Sequence, residues 1–162
     1  MAGDFVRERL FLKPDAFYAE SNCELRLGVT ATAIDRHAKT IALSDGSGVG
    51  YDRLLLATGA RVRPLPVPGA NLPGVYYLRS IDDSDALQRH LTPGAKLAVV
   101  GGGYIGLEVA AVARKHGLEV TVIEAMDRLM ARTASPHISA FYKDLHEGHG
   151  VTIHLNAAAT SC

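Results

Sequence analysis

The stretch "LAVVGGGYIGLEVAAVARKHGLEVTVIE", residues 97 to 124, constrains the fold of this chain more than any other. An apolar run ends in glycines, a helical pattern follows at once, and a second apolar run closes on Glu124. Strand, turn, helix and strand in so few residues demand a right-handed parallel crossover. Gly101, Gly103 and Gly106 fill the spacing G-x-G-x-x-G. The first glycine permits the tight turn, the second lets backbone approach a pyrophosphate, and the third allows close helix–strand packing. The helix expected over 104–117 then points its free N–H groups and dipole at the phosphates, and Ile105 in that first turn counts as a contact. Basic residues and Gly117 close it.

Glu124 stands eighteen residues beyond Gly106, at the end of the second strand, where a carboxylate accepts from ribose hydroxyls. It repels a 2′-phosphate, and Ala125, Met126 and Asp127 bring no cation to offset that repulsion. NADH is therefore expected over NADPH. The same acid also suits FAD, so the motif alone leaves the nucleotide open. A glycine-rich turn in an unrelated α/β core is the plainer alternative.

Around this unit the pattern is of an α/β protein in two parts. Residues 24–35 and 39–44 suggest an antiparallel hairpin, and "RLLLA" (53–57) a strand buried on both faces. "RVRPLPVPGANLPG" (61–74) carries four of the seven prolines and marks the boundary. A strand at 75–78, a helix at 82–90 capped by Ser80 or Asp82, strand 96–100, helix 135–146 and strand 150–155 complete the expectation. The final "NAAATSC" carries no structural signature.

Lys+Arg and Asp+Glu stand at 17 each, so no basic footprint invites nucleic acid or anionic lipid. No apolar run spans a membrane, and "MAGDFVRERLF" lacks a signal-peptide core. Cys23 and Cys162 are too few for a disulfide framework, and a soluble cytoplasmic protein is expected. The histidines of "HEGHGVTIH" lack the register of helical metal ligands, so no metal site is expected.

The stretch "YDRLLLATGARVRPLPVPG", together with "VYYLRSIDDSDAL", "VVGGGYIGLEVAA" and "DRLMAR", resembles the NADH-dependent ferredoxin reductases of the two-dinucleotide-binding flavoprotein family. These include the rubredoxin and putidaredoxin types that serve cytochrome P450s and aromatic-ring oxygenases. The resemblance runs from the first residues to about Leu155. It implies a Rossmann-like NAD(H)-binding domain, a parallel sheet with flanking helices, over residues 64–162. A partial FAD-binding domain with an antiparallel hairpin would precede it over 1–63. It implies hydride transfer from NADH through FAD to a ferredoxin- or rubredoxin-type iron–sulfur partner.

By the same resemblance, Ala57, Thr58 and Gly59 are a second FAD contact, and the backbone of Ala31 meets the FAD adenine. Arg63, with Arg61, is a flavin-side candidate. Tyr104 is the aromatic between flavin and nicotinamide, and Arg132 the adenosine-side arginine. Glu108 is the acid beside the flavin. On an otherwise apolar helix it is expected to face a closed site or suffer desolvation. The lysine that pairs with it in the family has no counterpart here. Residues 1–30 also lack the family's FAD glycine turn, so the chain reads as the central part of a reductase. Uncovered sheet edges then suggest a homodimer through residues 1–60. Two other readings stand beside this one: an NAD(H)-binding module without turnover, and part of a related NADH oxidase or disulfide reductase.

Overall fold

The computed structural model describes residues 7–162, so readings placed on residues 1–6 lie outside it. The chain divides into two compact units between Ala60 and Arg61.

In the first unit a single 3-10 turn and helix α1 (Asp15–Glu20) precede a three-stranded antiparallel sheet of β1 (Ala31–Asp35), β2 (Thr40–Leu43) and β3 (Gly48–Gly50). Short polar side chains make its turns. Asp35 Oδ1 accepts from the N–H groups of His37 and Ala38 at 2.8 and 2.9 Å. Asp45 Oδ1 accepts from Ser47 N–H and Oγ–H at 2.9 and 2.7 Å, and these bonds hold its carboxyl below the usual range. The expected hairpin is present, with Ile34 opposite Ile41. Pairing begins at Ala31 rather than residue 24, and β3 adds a third strand that the sequence pattern did not suggest.

The expected strand at 53–57 is not formed. Leu54, Leu55 and Leu56 are 37%, 86% and 64% exposed in an extended segment. An apolar run becomes a buried strand only beside a ladder partner, and none of the described strands pairs with it.

The second unit is layered. Helix α2 (Ile81–Gln88) starts at a capping box in which Ser80 Oγ accepts from Asp83 N–H and the Asp83 carboxylate accepts from Ser80 N–H. Strands β4 (Lys96–Val100), β5 (Glu119–Ile123) and β6 (Val151–His154) form a parallel sheet in that order. Helix α3 (Tyr104–Lys115) joins the first pair, and α4 (Pro136–Gly148), entered through Ser135, joins the second. Val99, Val120, Val122 and Val151 present one buried face to these helices. Ala110 and Ala113, fully buried, let α3 lie close to it.

Residues 75–78 do not form the expected strand. Side chains hold them instead: Leu65 N–H donates to Tyr77 Oη at 2.9 Å, and Tyr76 Oη lies 2.6 Å from His90 Nε2. The tail, too, has a structure that its composition hid. Asn156 N–H and Ala157 N–H donate to the carbonyls of Met126 and Glu124, and Cys162 N–H reaches Pro68 O. A Cβ on Gly69 would strike the Cys162 carbonyl, so only glycine lets the tail pass there.

Candidate functional site

The site is built at the carboxyl end of β4. Gly101 N–H donates to Ile123 O at 2.8 Å, and the chain then turns sharply with Gly101 at φ +109°. Only glycine adopts that backbone without strain. Gly103 is the N-cap of α3, and no side chain caps it. The first helical bond is Leu107 N–H to Gly103 O, so Tyr104, Ile105 and Gly106 begin the helix with outward-facing N–H groups. A Cβ on Gly106 would run into the Gly101 carbonyl and lie 3.2 Å from Val99 Cγ1. The third glycine therefore brings helix and strand together, as its spacing implied.

Glu124 follows β5 and is half-buried. Its Oε2 accepts from Gly102 N–H at 2.7 Å and its Oε1 from Met126 N–H at 2.8 Å. The carboxylate is thereby held beside the turn, with lone pairs left for a ribose. Ala125, Met126 and Asp127 are exposed and bring no positive charge. The next cation, Arg128, is engaged with Asp127 Oδ1 at 3.2 Å and with Ala131 O at 3.0 Å. Arg132 is exposed in the following turn. This geometry suits an adenine dinucleotide: an anion-attracting helix end, a turn free of Cβ atoms, and a fixed acid.

Tyr104 and Glu108, one helical turn apart, share a face of α3. With Tyr142 and His146 of α4 they border a groove of about 560 Å³. Glu108 is exposed, so the expected desolvation does not arise. His146 is 7% exposed on the groove's inner side. Burial, then the neighbouring His149, pushes its pKa below the usual value. Its neighbour His149 donates Nδ1–H to Leu145 O at 2.8 Å, a local helix-end bond.

The other candidates lie apart from this constellation in the chain. Ala31 opens β1, and Ala57, Thr58 and Gly59 follow the first unit's sheet, all exposed. Arg63 is exposed in the proline-rich stretch of the second unit. Gly102 escaped the motif because it fills an "x" position, although three consecutive glycines marked it.

An uncapped glycine turn with a carboxylate at the next strand's end defines a dinucleotide-binding unit. The profile of the pyridine nucleotide-disulphide oxidoreductases matches residues 6–162. The chain belongs to that family. It is 48% identical over 150 residues to rhodocoxin reductase of Rhodococcus erythropolis, covering 93% of this chain and 35% of that protein. It is 43% identical to putidaredoxin reductase of Pseudomonas putida, over 94% of this chain and 37% of the relative. Among solved structures, a ferredoxin reductase from Rhodopseudomonas palustris superposes with a TM-score of 0.88 at 41% identity, over 95% of this chain and 38% of that one. The chain thus spans a little over a third of the length of these relatives.

Proposed function

We propose that residues 64–162 bind NADH, within a flavoprotein reductase that draws hydride from it and delivers electrons to a ferredoxin- or rubredoxin-type iron–sulfur partner. The observation that carries this reading is the Glu124 carboxylate, held by two backbone N–H groups beside an uncapped helix start. Names of the relatives support the rest, since rhodocoxin, putidaredoxin and ferredoxin reductases are among the proteins it is similar to.

In this reading the turn and the α3 N–H groups hold the pyrophosphate, Glu124 accepts from the ribose, and Arg132 faces the adenosine. Tyr104 and Glu108 border the nicotinamide and flavin. Ala31, Ala57, Thr58, Gly59 and Arg63 would touch FAD, as the flavin-side part over residues 1–63. Small, exposed side chains at 31 and 57–59 fit such an approach. FAD, when bound, supplies the change from a two-electron to a one-electron carrier. No helix among the described residues is long and apolar enough to cross a membrane, and the reading is of a cytoplasmic protein. Homodimerisation through the first unit's sheet belongs to the same proposal.

Glu124→Arg tests it. NADH affinity should fall about tenfold or more and NADPH should become the preferred ligand, since a repelled 2′-phosphate becomes an attracted one. Unchanged preference in fluorescence titrations would remove Glu124 from the site. The second reading is an NAD(H)-binding module without turnover. A stoichiometric flavin spectrum that bleaches with NADH would exclude it.

A further inference from the structure

Gly102 is the one glycine of the turn that the fingerprint does not require. Its φ lies outside the left-handed region, so the backbone itself would accept any residue. Its surroundings would not. A Cβ there would lie 2.5 Å from Leu129 Cδ2 and 3.3 Å from both Glu124 Cβ and Glu124 Oε2.

The residue is buried and bonded on both sides. Its N–H donates to Glu124 Oε2 at 2.7 Å, and its carbonyl accepts from Met130 N–H at 2.9 Å. Leu129 has little room to yield. It is 1% exposed, and its carbonyl accepts from the buried Ser139 Oγ of α4 at 2.6 Å. Added volume in so closely packed a place displaces whichever neighbour is least confined. That neighbour is the half-buried Glu124 side chain.

We propose that Gly102, backed by Leu129 and through it by Ser139, is the positioning residue that sets the Glu124 carboxylate and with it the choice between NADH and NADPH. The inference rests on the NADH reading of the site. Two backbone donors fix both oxygens of Glu124, so its charge stands ready where a 2′-substituent arrives and needs no reorganisation. A methyl group at 102 moves the carboxylate off Gly102 N–H and frees its rotamer. Ribose is then bound less well and a 2′-phosphate repelled less. A role in stability alone would leave the ratio of the two affinities untouched.

The experiment compares wild type, Gly102→Ala and Gly102→Ala/Leu129→Val in NADH and NADPH titrations, with thermal unfolding as the check on folding. Gly102→Ala should cut the preference for NADH about tenfold. The double variant lacks the Cδ2 that the new methyl meets and should recover most of it. A folded Gly102→Ala protein with wild-type preference overturns the proposal, as does a folded double variant with none restored. A direct reading needs no variant at position 102. The Gly102 amide proton of the wild-type protein should resonate downfield, as a charge-assisted bond to Glu124 Oε2 requires, and move upfield in Glu124→Gln. An amide indifferent to Glu124 overturns the proposal even if neither variant folds. Wild-type protein that does not distinguish NADH from NADPH defeats the NADH reading itself, and this inference falls with it.

Discussion

The two units contain similar kinds of residue and bury them very differently. Every buried hydrophobic residue among those described lies at position 87 or later. In the second unit Leu118, Val122 and Leu129 are at most 2% exposed. In the first, Phe11, Leu12, Leu27 and Leu55 are 68 to 89% exposed, and all of β1 faces solvent. Apolar content therefore does not separate them. Layering does: α3 and α4 cover one face of a parallel sheet, whereas among the described residues of the first unit no helix covers the antiparallel sheet in that way. Removing area from water stabilises by roughly 25 cal/mol per Å², so the second unit, which holds the fully buried side chains among those described, carries the larger share of that stabilisation.

The sharpest way to break this comparison is to separate the units. A chain of residues 61–162 should unfold cooperatively, while residues 1–60 alone should show no cooperative transition. In the intact protein, amides of β4, β5 and α3 should exchange on the order of a hundredfold more slowly than those of β1 to β3. Equal protection in both sheets would show that the first unit is stabilised by something other than its own packing.

Single truncations come next in size. Leu118→Ala removes a fully buried side chain beneath the end of α3 and should lower stability by about 3 kcal/mol in denaturant titrations. Leu55→Ala, at an 86% exposed position, should change it by no more than about 0.5 kcal/mol. A large effect at Leu55 would mean that the segment is covered in solution, and self-association would be the first explanation to test by sedimentation.

The same contrast governs what could be read from the sequence. Gly101, Gly106 and Glu124 were legible because local geometry alone dictates them: a turn, a close approach, an acid at a set distance. Helices α2, α3 and α4 were legible from caps and periodicity. Residues 53–57 and 75–78 were not, because a strand exists only with a partner and a run of leucines does not name one. Glu108 was misjudged for a related reason, since helical apolarity does not tell which face a neighbouring helix covers. Gly102 was not legible at all. Its demand comes from Leu129, twenty-seven residues away, and from no backbone angle.

The packed unit also holds a histidine whose burial should register in pH. The pKa of His146 is lowered in the folded protein, first by desolvation and then by His149; Glu108, Arg114 and Lys115 also border its groove. A depressed pKa means that the unfolded chain takes up the proton more readily. Its contribution is therefore intact above about pH 6.5 and is lost as pH falls below it. His146→Phe should flatten the fall in stability between about pH 6.5 and 5, by less than the Leu118 truncation. A slope unchanged from wild type would assign acid sensitivity to other groups.

The smallest effect sets the two regions side by side most directly. Lys143–Glu147 on α4 and Arg26–Glu24 in the first unit have the same 2.7 Å separation. Distance alone would rank them equal. The first pair is spaced i, i+4 on a helix whose other face is packed, so its backbone is already ordered and little entropy opposes the contact. Arg26 and Glu24 are joined by a segment without regular structure, and the glutamate side chain is 73% exposed. Double-mutant cycles should give a coupling of about 0.3–0.5 kcal/mol for the helical pair and almost none for the other. Equal couplings would show that ordering of the backbone, and not only burial of side chains, extends to the first unit.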